Sequence, residues 1–224
     1  MKNPLTAPVK GAEEFEKHFA VSRETLERLV VYEALLKRWQ RTINLVAPST
    51  LDDVWWRHFA DSAQVLAFAP PGAKRWLDLG SGAGFPGLVL AIFLAEQAEA
   101  HVTLIESDTR KAAFLAEVAR RTGVSVDICR ERIEKAATQA KLQAIDVITA
   151  RALAPLPRLI ELAAPWFSSH TVGLFLKGRE AQSEVEAARR HWDFAVALHP
   201  SLTDKNGRIV VIRALRAKTE DKSR

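Results

Sequence analysis

LDLGSGAGFPG, residues 77–87, decides the fold. An apolar run ends at Leu79, glycines recur at 80, 82 and 84, and Pro86 suits the first turn of a following helix. Strand, tight loop and helix in that order form a unit whose backbone amides can approach a nucleotide-like ligand closely. Gly82, Gly84 and Gly87 also satisfy GxGxxG, so the glycines alone do not choose between cofactors. Asp78 does choose. A carboxylate at the strand end would repel a pyrophosphate across the loop, whereas it would attract the ammonium and sulfonium of S-adenosylmethionine. The alternative, a strand-to-helix turn with no ligand, has to bear the conformational entropy of so many glycines.

Outward from this loop, short apolar runs alternate with helical periodicity. The runs WLDLG (76–80), HVTLIE (101–106), VSVDIC (124–129), AIDVIT (144–149) and TVGLFLK (171–177) read as strands. Helices are expected over 85–97, over 109–121, from Glu131, over 155–167 and over 180–191. Strands joined through helices predict a doubly wound parallel sheet. DFAVAL (193–198) and GRIVVIRAL (207–215) are joined only by HPSLTDKN, which leaves no room for a helix, so they predict an antiparallel hairpin at the sheet edge. The expected fold is α/β and Rossmann-like, a seven-stranded mostly parallel sheet over residues 71–216.

Upstream the period is helical. Leu26, Leu29, Val30, Leu36 and Trp39 fall near one face of a helix over 22–39, with Ser22 as N-cap and residues 24–28 as exposed decoration. A second helix is expected to start after Ser49 or Thr50, with Asp52 and Asp53 in its first turn, and to run through Trp55, Phe59 and Val65 to Phe68. Pro70, Pro71 and Gly72 end it. Residues 12–70 therefore form a helical N-terminal cap, and 1–11 and 217–224 read as fraying tails.

At 224 residues, with 48% hydrophobic and 26% charged, the chain fits one folded α/β domain with an extension and excludes disorder as its overall state. Cys129 alone can build neither a disulfide framework nor a zinc site, which fits a reducing compartment. No secretory segment follows Met1 and no apolar run nears the roughly 20 residues that span a bilayer, so a cytoplasmic protein without a membrane partner is expected. The net charge of +5 favours an anionic partner such as nucleic acid without proving one.

Glu106 ends the second strand, where a carboxylate can accept hydrogen bonds from both ribose hydroxyls of an adenosine; the alternative is a solvated strand-end acid. Arg130, Glu131 and Arg132 follow the third strand and sit by topology at an adenine rim, or form a plain capping loop. Transfer from a sulfonium is an in-line displacement, so the acceptor decides what else is needed. A cytosine C5 acceptor needs a cysteine nucleophile, and Cys129 lies on a strand rather than in a Pro-Cys loop. An adenine amino acceptor commonly uses an Asn/Asp-Pro-Pro-aromatic loop after the fourth strand, where this chain reads TARALAPL (149–156). Clustered carboxylates or histidines at metal-ligand spacing do not stand out, so no metal is expected. A guanine N7 remains permitted: its lone pair is unprotonated, and cationic donors at O6 and phosphate can steer it. Arg151 and Lys177, at the ends of the fourth and fifth strands, are placed for that, or are solvated strand-end bases.

LLKRWQRTINLVA (35–47), RHFADS (57–62), the glycine loop, RIE (132–134), RALAPL (151–156) and LKG (176–178) together resemble the bacterial small-subunit rRNA guanine-N7 methyltransferases, the RsmG or GidB family. The resemblance runs from about Tyr32 to Ala214. It implies a class I S-adenosylmethionine-dependent methyltransferase fold and methylation of N7 of guanine 527, in the 530 loop of 16S rRNA. The partner it implies is the small ribosomal subunit or an assembly intermediate, and the chain itself is expected to be a monomer. By residue matching it implies cofactor binding by Asp78, Gly80, Ser81, Gly82, Gly84, Phe85, Glu106, Glu131 and Arg132, with Arg151 reaching the same ligand. Asn44, Arg57, His58, Arg151 and Lys177 would line the reaction cleft. Where the family often has Tyr or Phe, this chain has Ile43, which removes an aromatic platform there.

Three features keep two readings each. His58 and Asp61 lie one helical turn apart and form either a local pair or part of a lid. Trp55 and Trp56 are adjacent and cannot both face the core, so one is exposed or covered by the first helix, and they read as buried packing rather than as a base-stacking platform. Lys37, Arg38 and Arg41 form either a phosphate-contacting strip with Arg57 or an ordinary solvated face. The rival functions are a methyltransferase for a protein or small molecule, and a nucleotide-binding oxidoreductase.

Overall fold

The computed structural model describes residues 8–135 and 145–218. Its centre is a seven-stranded sheet in the order β3-β2-β1-β4-β5-β7-β6. The strands are β1 (Arg75–Leu79), β2 (His101–Ile105), β3 (Asp127–Cys129), β4 (Val147–Arg151), β5 (Val172–Lys177), β6 (Trp192–Pro200) and β7 (Arg208–Ala217). The first five are mutually parallel, and β7 enters antiparallel between β5 and β6. The chain order turns back at β1, between β2 and β4, and this switch point lies at the glycine loop, where α/β sheets bind ligands.

Period-2 alternation feeds two cores. Trp76, Val147, Leu174 and Val211 face one side of the sheet, and Leu77, Ile148, Phe175 and Val210 face the other. The first side is covered by α4 (Gly87–Leu94), α5 (Thr109–Thr122) and the N-terminal helices α1 (Ala12–Phe19) and α2 (Arg23–Trp39). Helices α6 (Leu156–Ala163) and α7 (Ala181–Ala188) cover the second. Nearly every residue of α4, GLVLAIFL, is buried, as a helix between a sheet and a further helical layer must be. Among the described residues no helix is long and apolar enough to cross a membrane.

Ser22 caps α2, its hydroxyl accepting the Thr25 amide. The face of α2 is the expected one at Leu26, Leu29, Leu36 and Trp39, but the buried stripe is centred differently. Thr25, Tyr32 and Leu35 are buried, whereas Val30 is 45% exposed, because the helix packs on α5 and α4 and the residues that meet them set the buried stripe. Asp52 and Asp53 lie in a turn rather than in the second helix. A π-helical segment (Trp55–Ala60) follows, running on into α3 (Asp61–Ala63) and a 3₁₀ segment (Gln64–Phe68). Trp55 is buried and Trp56 is half-buried against the core. The expected fraying at 8–11 is not found, because Val9 is buried and the Lys10 amide donates to the Glu14 carboxylate. At the other end the Lys218 amide donates to the His191 carbonyl. Residues 131–135 form a turn, and the remainder of the helix expected from Glu131 lies, with both outer tails, beyond the described residues.

Candidate functional site

The glycine loop leaves β1 with positive φ at Gly80, Gly82 and Gly84. At Gly84 a Cβ would run into the Tyr32 hydroxyl and come within 2.8 Å of Leu88 Cβ, so the position has room for glycine only. Three bonds fasten the loop. The Ser81 amide donates to the Ile105 carbonyl at 2.9 Å, the Gly82 amide to Glu106 Oε2 at 2.8 Å, and the Tyr32 hydroxyl to the Ala83 carbonyl. The Ser81 hydroxyl folds back on the Asp78 carbonyl at 3.2 Å.

Glu106 is buried, and its second oxygen accepts the Asp108 amide at 2.7 Å. Each carboxylate oxygen therefore gives one lone pair to backbone and retains another for a ligand. The expectation for Asp78 needs correction. It is 1% exposed and does not line the cavity above the loop; it is packed beneath, with Oδ1 accepting the Thr149 hydroxyl at 2.7 Å. Oδ2 lies against Gly87, where a Cβ would fall 2.6 Å from it. Burial pushes the Asp78 pKa up to about 6, against the pull of the Thr149 hydrogen bond. The carboxylate acts on the loop from below rather than facing a ligand across it.

Two cavities open at the carboxyl ends of the strands. The first, about 400 Å³, is lined by Gly80, Ser81, Gly82 and Phe85 of the loop, by Glu106, and by Lys111, Glu131, Arg132 and Glu134. Gly84 lies behind it, against Tyr32. The second, about 480 Å³, is lined by Arg57, His58, Asp61, Lys177, Thr203, Asp204 and Arg208 among others. Leu45, Arg151 and Ala152 line both. Asn44 is exposed and lines neither, and the same holds for Arg38, Arg41 and Lys37, the last paired with Glu33 at 2.8 Å.

Arg151 lines both cavities and is held by three hydrogen bonds, which leaves two of its five N–H donors unassigned. One guanidinium nitrogen donates to the Arg57 carbonyl at 3.0 Å and to Asp61 at 3.2 Å; the other donates to His58 Nδ1 at 2.8 Å. His58 and Asp61 are thus joined through Arg151 and not to each other. Burial, with Arg151 and Arg57 nearby, lowers the His58 pKa to about 3, so the ring is neutral. Arginine only donates, so Nδ1 is the acceptor and Nε2 carries the proton, which it gives to Thr50 Oγ1 at 2.8 Å. Phe85 stacks between His58 (4.7 Å, 16°) and Tyr32 (5.4 Å, 11°), and the Arg151 guanidinium lies 4.8 Å from its ring centre.

Lys177 is held by the Ala154 carbonyl at 2.8 Å and paired with Glu184 at 2.6 Å. Glu184 also accepts the Leu156 amide, so α7 is tied to the start of α6 through the residue that positions Lys177. On the far wall, Asp61 Oδ1 accepts from Thr203 at 2.7 Å and from Gln64 at 2.8 Å, joining α3 to the β6–β7 loop. Glu184, Thr149, Thr203, Asp204 and Arg208 were not singled out in the sequence.

Residues 25–210 match the family model GidB, rRNA small subunit methyltransferase G. The chain belongs to this family. A Ribosomal RNA small subunit methyltransferase G from Parvibaculum lavamentivorans is 49% identical over 207 residues, covering 92% of this chain and 91% of the relative. The protein of that name from Methylobacterium nodulans is 54% identical over 197 residues, covering 88% and 92%. Among solved structures, an O-methyltransferase from Bacillus cereus in complex with SAH superposes with a TM-score of 0.55 at 14% identity, over 86% of this chain and 91% of that one, which supports the fold. Every residue of both cavities lies inside the GidB match, and the dinucleotide reading of Gly82, Gly84 and Gly87 falls with it.

Proposed function

We propose that this GidB-family chain methylates N7 of a guanine seated in the second cavity, that of position 527 in the 530 loop of 16S rRNA, using S-adenosylmethionine held in the first. Family membership makes it an S-adenosylmethionine-dependent methyltransferase of small-subunit rRNA. The observation that carries the finer reading is the meeting of the two cavities at Leu45, Arg151 and Ala152, with a glycine loop held at positive φ on one side and four cationic side chains on the other.

The residues present fit such a cofactor. The loop amides and Ser81 offer donors, Glu106 keeps a free lone pair on each oxygen, and Glu131 and Arg132 lie at the rim. When bound, the cofactor supplies a sulfonium methyl whose C–S bond breaks as the C–N7 bond forms. No proton leaves the base, so neutral His58 is not needed as a base and instead fixes Arg151. The purine gains a positive charge during transfer. Arg151 and Lys177 would oppose that charge if naked, and their pairing with Asp61 and Glu184 lets them donate hydrogen bonds from a balanced site. Arg57 and Arg208 line the same cavity, where RNA phosphates would meet them. The substrate is a small subunit or its assembly intermediate, met in the cytoplasm by a monomer whose helical cap (12–70) and sheet domain (71–216) share one core.

The test is methyl transfer to small subunits, naked 16S rRNA and unrelated RNA, with the modified base mapped. Label on N7 of guanine 527 is expected. Label on another base or atom, or turnover on a small molecule without RNA, would overturn the reading.

A further inference from the structure

The second cavity holds a carboxylate that the charge balance above does not use. Among the lining residues the carboxylates are Asp61 and Asp204. Asp61 is committed to the protein: one oxygen takes Gln64 and Thr203, and the other is ion-paired with Arg151. Asp204, on the β6–β7 loop, differs. Its Oδ1 accepts the Asn206 amide at 2.9 Å, and its Oδ2 faces the Arg57 guanidinium at 3.6 Å, too far for a hydrogen bond. Both side chains stay open, 40% and 42% exposed. Asp204 lines only the second cavity, whereas Leu45, Arg151 and Ala152 line both, and unlike Asp61 it does not pair with Arg151.

A purine presenting N7 toward the shared wall turns its Watson–Crick edge to the opposite side. Guanine carries two donors on that edge, N1–H and the N2 amino group, which one carboxylate oxygen or both can accept. Adenine carries an N1 lone pair there, which a carboxylate repels. Resting on the N7 reading above, we infer that Asp204 reads the donor edge of the acceptor guanine, rejects adenine, and stabilises the positive charge that the base acquires. The two effects come from one contact, because the hydrogen bond from N1–H to a carboxylate strengthens as the ring becomes cationic.

Asp204→Asn keeps an acceptor for the Asn206 amide and removes the charge, so the loop should fold. The experiment compares wild type and this variant on reconstituted small subunits whose 16S RNA carries guanine, inosine or adenine at the target position, reading kcat/KM and cofactor affinity. Wild type is expected to prefer guanine over inosine, which lacks the N2 amino group, by roughly tenfold or more. In Asp204→Asn that ratio should fall toward one, the guanine-to-adenine ratio should shrink, and cofactor affinity should hold. An unchanged guanine-to-inosine ratio, whatever the absolute rate, overturns the role of Asp204 alone. Wild-type label at an atom other than N7 overturns the underlying reading and this one with it.

Discussion

Arg151 donates to Nδ1 of His58 at 2.8 Å, and this contact fixes the tautomer of a buried imidazole that in turn holds Thr50. Burial lowers the His58 pKa first and Arg151 second. Arg151→Met should therefore raise it from about 3 yet leave it below 6.5, as an NMR titration of the ring would record. Methyl transfer should fall by about a hundredfold, because among the described residues Arg151 alone joins Asp61, the Arg57 carbonyl and His58. An unmoved His58 pKa would show that the contact does not persist in solution.

The two shifted groups of the site load the pH dependence of stability in opposite directions. Unfolded His58 takes a proton near 6.5 and folded His58 only near 3, so its contribution is full above 6.5 and is lost as pH falls. Folded Asp78 keeps its proton up to about 6, whereas the unfolded group loses it near 3.8, so stability is lost as pH rises through that window. Each slope reaches at most about 1.4 kcal/mol per pH unit. Asp78→Asn removes one side of the balance. It should be about 1–3 kcal/mol more stable than wild type at pH 7.5 and lose stability more steeply between pH 6 and 4. Urea melts at three pH values would check this, and a uniform loss at all three would contradict it.

Glu106 and Asp78 should differ in cofactor binding. Glu106 lines the first cavity and anchors the Gly82 and Asp108 amides, so Glu106→Ala frees both and removes the ligand-facing lone pairs. A loss of about a hundredfold in affinity is expected by calorimetry. Asp78→Asn, acting from beneath the loop, should cost less than about tenfold. Equal losses would restore the direct charge attraction that the sequence suggested.

Local pattern explains why some of this was readable. Strand alternation in WLDLG or GRIVVIRAL, the turn chemistry of Gly80 to Gly84, and the Ser22 cap are short-range properties, and each is found where expected. Asp78 shows the limit. Its place at a strand end was legible, but whether its carboxylate rose into the cavity or packed under Gly87 depends on Thr149, 71 residues away on β4. Asp61 and Thr203 meet across 142 residues, and no spacing rule links them. The π-helical turn that lets the Arg57 carbonyl meet Arg151 likewise has no signature in WWRHFA. HPSLTDKN was read only as too short for a helix, and it supplies a wall of the second cavity.

Lys177 and Glu184 test the charge balance itself. The ammonium is 11% exposed and the carboxylate 20%, so neither is screened well by solvent. Lys177→Ala should reduce transfer by about tenfold or more while cofactor affinity changes less than twofold, since Lys177 lines only the second cavity. Glu184→Gln keeps the Leu156 hydrogen bond but leaves the ammonium uncompensated. An extra positive charge attracts anionic RNA, so KM should hold or fall. It also opposes the cation forming on the base, so kcat should drop by about tenfold. A fall in kcat with no rise in KM separates this effect from loss of binding. If kcat is unchanged, Glu184 serves only to tie α7 to α6, and the neutralisation of Lys177 has no part in the transfer.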